Sequence, residues 1–75
     1  MITARFEEFE FYDPIKDAER VRLMCITNVG TWHTTVDMGT GSKMRDARKR
    51  FRMAIEHDVA FGIPPGELIL EQEIA

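Results

Sequence analysis

The chain has 75 residues, 44% of them hydrophobic and 31% charged, with a formal net charge of −3. That length fits one domain, residues 1–75, with a small core, and no apolar run approaches the roughly 20 residues that span a bilayer. The lone Cys25 excludes an intramolecular disulfide and any site built on two cysteines. The opening MITARFEEFEF lacks the basic start and apolar run of a signal peptide, so a cytoplasmic location is expected.

Residues 2–12 read as a strand rich in aromatic side chains. Ile2, Ala4 and Phe6 alternate with Thr3 and Arg5, after which Phe9 and Phe11 continue one residue late. Such a slip predicts a β-bulge near Glu7-Glu8, with a short helical turn as the alternative. Glu7, Glu8, Glu10 and Asp13 make this strand acidic, which suits an edge that must not pair with other chains. Asp13-Pro14 ends it, and residues 13–19 read as a polar connection.

Residues 20–29 read as a second strand. Val21, Leu23, Cys25 and Thr27 fall on one face, and Arg22, Met24, Ile26 and Asn28 on the other. Because Leu23 to Ile26 is apolar on both faces, a central position covered twice is expected. Asn28-Val29-Gly30-Thr31 reads as a hairpin connection in which Gly30 is free to take a positive φ. Residues 31–38 then form a third strand, with Trp32, Thr34, Val36 and Met38 on one face and Thr31, His33, Thr35 and Asp37 on the opposite, polar face.

Gly39-Thr40-Gly41-Ser42 breaks the sheet, with Ser42 as a helix N-cap and Thr40 as its competitor. A helix is predicted from about Lys43 to Phe61, ending at Gly62 in the left-handed C′ position. Met44, Ala47, Phe51, Ala54, Ile55 and Val59 form its apolar stripe, and Arg45, Arg48, Lys49 and Arg52 its opposite side. Pro64-Pro65-Gly66 forces a turn. The tail 67–74 reads as a strand through Leu68, Leu70, Gln72 and Ile74, although Pro65 could also open a short helix. The expected fold is α+β, in the order β-β-β-α-β, with an antiparallel sheet and one amphipathic helix packed on one face.

One helix covers one face only. Leu23, Met24, Cys25 and Ile26 are apolar on both sides, and the first strand carries three phenylalanines. A wet second face would expose an apolar patch larger than soluble monomers usually carry, so a homodimer through Met24 and Ile26, or through a strand edge, is expected.

From residue 39 to residue 70 the sequence resembles the HicB-like antitoxins. The matching residues are Ala47, Phe51, Ala54, Ile55 and Glu56 on the helix, then Gly62-Ile63-Pro64-Pro65. The Pro-Gly-Cys that leads into that family's third strand is missing, and this helix is basic where the family's is often acidic. The resemblance implies a non-enzymatic protein that blocks a partner protein. Gly39 to Lys43 is similar to the loop before the last helix of double-stranded-RNA-binding domains, without a counterpart of their first helix.

Charge gives the main functional candidate. Residues 42–58 carry six cations and three anions, while the segments on either side each carry a net −3. Arg45, Arg48, Lys49 and Arg52, with Arg50 at the border and Lys43 at the start, form a basic stripe suited to an acidic protein surface or to phosphates. The acidity of the whole chain and the lack of an aromatic among these cations weigh against nucleic acid. His33 with Asp37 could serve as a base and its orienter or as two metal ligands, but a third partner is missing in sequence. Trp32 reads as core or as an interface anchor. Cys25 reads as an inert apolar residue. Gly39 to Lys43 lacks the spacing of a phosphate-binding P-loop. No catalytic set, metal or cofactor is expected. The expected function is a small, dimeric, non-enzymatic protein-binding module, antitoxin-like or a mobile-element inhibitor of a host protein. Its partner would present an acidic surface, and no membrane is involved. The alternative is a nucleic-acid-binding regulator using the basic helix face.

Overall fold

The computed structural model describes residues 3–70. It contains β1 (Ala4–Asp13), β2 (Ala18–Thr27), β3 (Gly30–Asp37) and α1 (Gly41–Phe61), the β-β-β-α order of an α+β protein. The strands form one antiparallel sheet in the order β1-β2-β3.

β1 and β2 pair without interruption from Ala4 opposite Thr27 to Asp13 opposite Ala18. The bulge expected near Glu7-Glu8 is therefore absent, and so is the helical turn. The apolar phase slips because β1 changes its apolar face midway, while the backbone keeps step. Phe6 lies opposite Cys25 on the helix side, and Phe9 and Phe11 lie opposite Arg22 and Arg20 on the other. The connection is shorter than expected, residues 14–17 only. The Asp13 carboxylate accepts from the amides of Ile15 and Lys16 at 2.9 and 3.3 Å, and Asp17 takes a left-handed φ of 50°. This side-chain turn supplies the partners that free amides of a tight loop need.

β2 joins β3 through Asn28 and Val29, with Thr27 opposite Gly30. Gly30 has φ 143°, and a Cβ there would sit 3.1 Å from Pro65. Glycine thus answers two demands, an unusual backbone and close approach of the returning tail. Met38, expected on the Trp32 face, lies just beyond β3 and is exposed.

α1 begins two residues before the expected start. Thr40, the competing cap, occupies the N-cap position without a side-chain cap bond, and Gly62 ends the helix at φ 69° as expected. Met44, Ala47, Phe51 and Ile55 are buried against Val21, Leu23, Cys25, Trp32 and Val36. Val59 is exposed, contrary to its place in the expected stripe, and Asp58 is buried instead. The cause lies across the core, where the Trp32 indole N–H donates to Asp58 Oδ2 at 3.2 Å. A buried indole needs an acceptor, and one helical step decides which of residues 58 and 59 faces it.

The tail returns along the free edge of β3. His33 N–H donates to the Gly66 carbonyl at 3.1 Å, and Leu68 N–H donates to the His33 carbonyl at 2.8 Å. This is one parallel bridge, His33 to Glu67, so the last strand expected over 67–74 is reduced among the described residues to a single rung. Residues 71–74 of that expectation lie outside the described residues. Leu68 and Leu70 pack against the core. Among the described residues, no helix is long and apolar enough to cross a membrane.

Candidate partner-binding face

The outward side of α1 assembles the basic stripe as expected. Arg45, Arg48, Lys49 and Arg52 line one shallow groove, together with Met53 and Glu56. Steps of three and four residues place them on one helical face.

The four cations are not equivalent. Arg48 is tied to β1, its Nε and Nη2 donating to the two Glu8 carboxylate oxygens at 2.5 and 3.1 Å. This bidentate grip lowers the Glu8 pKa, with the hydrogen bond from Arg48 as the largest cause, and raises that of Arg48. Arg52 lies with its guanidinium carbon 5.0 Å from the centre of the Phe6 ring, a cation–π contact. Phe6 in turn meets Phe51 edge-on at 6.4 Å, so the stack reaches from solvent to the core. At the border, Arg50 pairs with Asp46 at 3.0 Å and donates to the Leu70 carbonyl at 3.1 Å. Arg45 and Lys49 form no ion pair with any described carboxylate. The face thus has two cations fixed by β1 and two that extend into solvent.

Met53, 57% exposed, was missed in the sequence, although it stands four residues after Lys49 and so belongs to the stripe by periodicity alone. The anchoring of Arg48 and Arg52 left no sequence signal, because Glu8 and Phe6 come from a strand forty or more residues away.

The second candidate comes apart. His33, Thr35 and Asp37 do share the sheet face away from α1, but His33 and Asp37 are four residues apart along a strand, about 13 Å. Asp37 is held instead by Arg20 at 2.5 Å. Arg20 is 5% exposed, and it also lies 3.8 Å from Asp13 and 3.5 Å from the Thr35 carbonyl. The set locks the turn end of the β1–β2 hairpin to β3. His57, on α1, has Nδ1 3.4 Å from Asp58 Oδ1 and its ring 4.6 Å from that of Phe61. Among the described residues, no group of three or more His, Cys, Asp or Glu could hold a metal ion. Cys25 is buried, and burial pushes its thiol pKa up, away from the reactive thiolate.

The face opposite α1 gathers Phe9, Phe11, Arg22 and Met24 in an open groove. Ile26 lies beside Met24 on the same face, and both are half-buried. No protein-family model matches the chain, and neither does any curated protein or solved structure.

Proposed function

We propose that this chain is a small non-enzymatic binding module that engages an acidic surface of another protein through the outward face of α1. The observation that carries this reading is the mixture on that face. Arg45 and Lys49 extend free of described carboxylates, Arg48 and Arg52 stand fixed beside them, and the exposed Met53 lies among the four. Arginine and methionine around a shallow groove are what protein interfaces enrich. The fixed cations lose little further freedom on binding, which favours affinity. Occupying the partner's acidic surface would block it, the action that the resemblance to HicB-like antitoxins implies.

The same cations could meet phosphates. Glu56 lines the groove, however, Glu8 holds Arg48, and the Phe6 ring beside the cations already stacks on the Arg52 guanidinium. These features favour a protein over nucleic acid.

The test is a charge reversal. The wild-type chain and the double variant Arg45→Glu/Lys49→Glu are each immobilised and exposed to extract of the source cell at about 50 and 200 mM salt. A protein retained by the wild type, released by salt and not retained by the variant is the expected result. Titration against single- and double-stranded DNA and RNA at the same two salts is expected to show no binding. Binding that weakens about 10³-fold between them would instead place phosphates on this face. Identical retention by both chains would reduce the stripe to a solvated helix face.

A further inference from the structure

We infer that the free edge of β1 binds an extended peptide in which cationic and apolar residues alternate, added to the sheet as a fourth, antiparallel strand. β1 ends the sheet order β1-β2-β3, and it runs ten residues with no bulge and no proline. Sheets ordinarily shorten, bulge or cover such an edge, because its unpaired backbone groups template another strand. The phase of the ladder shows which groups are open. His33 uses both its backbone groups on the tail, donating to Gly66 and accepting from Leu68, so they point away from β2. Bonding alternates from one residue pair to the next and from strand to strand. Met24, opposite His33, therefore bonds to Glu7, and the backbone groups of β1 that face outward are those of Ala4, Phe6, Glu8, Glu10 and Tyr12.

The side chains along this edge state what the added strand carries. Those of Phe6, Glu8, Glu10 and Tyr12 stand on the α1 side. Towards the β1–β2 turn this side is acidic. Glu10, and Glu19 opposite Tyr12, form no ion pair with any described residue, and Asp17 accepts the Tyr12 hydroxyl. Lys16, the cation of that turn, lies away from the edge, lining a cavity with Thr34 and Leu68 beside β3. At the other end Arg52 lies over Phe6, and Arg48 holds Glu8. On the far side of the sheet the edge presents Phe9, 52% exposed, and Phe11. An added strand with lysine opposite Tyr12 and Glu10, valine opposite Phe11 and Phe9, and glutamate opposite Phe6 answers each of these groups.

The same charges turn away β1 of a second copy. Ladder bonds join outward residues to outward residues only. The two antiparallel registers that use nearly all of β1 then set Glu8 against Glu8, or Glu8 against Glu10. Like charges directly opposite destabilise such a pair. The carboxylates that guard the edge against its own copy are the ones that admit a cation.

The test titrates the peptide acetyl-Lys-Val-Lys-Val-Thr-Thr-Glu-amide into the full chain and reads amide hydrogen exchange. Binding at about 100 µM or tighter is expected. With free peptide at about ten times the dissociation constant, the amides of Phe6, Glu8, Glu10 and Tyr12 are expected to exchange about tenfold more slowly. Those of Glu7 and Phe9, already bonded to β2, are expected to keep their rates. The charge-inverted peptide acetyl-Glu-Val-Glu-Val-Thr-Thr-Lys-amide is expected to bind at least about tenfold more weakly. N-methylation of the second lysine, whose N–H faces Glu10, is expected to weaken binding about tenfold, and N-methylation of the first valine, whose N–H faces solvent, to leave it intact. In the chain, Glu10→Pro removes an outward N–H and no bond to β2, so it is expected to fold and to bind at least about tenfold more weakly. The emission of the buried Trp32 verifies its fold. The proposal does not rest on the basic face of α1, so Arg45→Glu/Lys49→Glu is expected to retain peptide binding. No binding at about 1 mM, equal binding of the charge-inverted peptide, or equal tolerance of the two N-methyl groups overturns the proposal. So does slowing that includes Glu7 and Phe9, loss of binding in Arg45→Glu/Lys49→Glu, or slow exchange of the outward amides through self-association of the chain alone.

Discussion

Two residues show how local chemistry settles the packing. Asp58 is buried because it accepts the Trp32 indole proton. Asp58→Ala leaves that donor buried without a partner, and a loss of about 1–3 kcal/mol is expected, measured by urea denaturation followed through Trp32 emission. Gly30→Ala is expected to destabilise by about 1 kcal/mol or more, because φ there is 143° and the added carbon meets Pro65 at 3.1 Å. The same denaturation series, compared with Gly41→Ala, where nothing stands within 4 Å, separates this site from ordinary glycine replacement. Trp32 was legible as core in the sequence, since its strand alternates apolar and polar positions. Asp58 was not. Residues 58 and 59 both continue a stripe from Ile55, and hydrophobicity alone picks Val59. The acceptor that a buried tryptophan demands is a tertiary requirement, visible only when strand and helix meet.

Among the elements, β1 carries both sides of the molecule. Its helix side gives Phe6 and Glu8 to the basic face, and its other side gives Phe9 and Phe11 to the apolar one. The sequence showed a strand with charged and aromatic residues, but the phase slip suggested a bulge because one buried face was assumed. A strand at a sheet edge with different neighbours above and below can change its apolar face without changing register. The Glu8–Arg48 contact makes this element sensitive to acid. The folded state lowers the Glu8 pKa below its ordinary value of 4.5, so its contribution is present above that value and is lost as pH falls through the lowered one. The difference in melting temperature between the wild type and Glu8→Gln is therefore expected to be open at pH 7 and to close towards pH 3, as followed by circular dichroism. A difference that persists at pH 3 would mean that Glu8 acts through packing. The basic stripe itself was legible from helical spacing, whereas its division into fixed and free cations depended on where β1 lay.

For the whole molecule, small size sets the scale of every effect. A domain of 75 residues has a stability of roughly 4–11 kcal/mol. Leu23 is 2% exposed in the middle of the core, and Leu23→Ala is expected to remove about 2–5 kcal/mol, a large share of the total, as a lower urea midpoint. The β-β-β-α order could be read from punctuation by glycine and proline together with the change in period from strand to helix. The tail could not be read so well, because its pairing depends on an edge of β3 that exists only after the meander has formed. The single rung between His33 and Glu67 has a consequence for the order of assembly. Strands β1 to β3 close through short turns, while this rung must wait until α1 has carried the chain back across the sheet, so it closes last. Closing last with one bridge also means opening first. In native-state hydrogen exchange, the amides of His33 and Leu68 should lose their protons well ahead of those of central β2, marking a partial opening in which the meander and α1 stay together while the edge of β3 is bared.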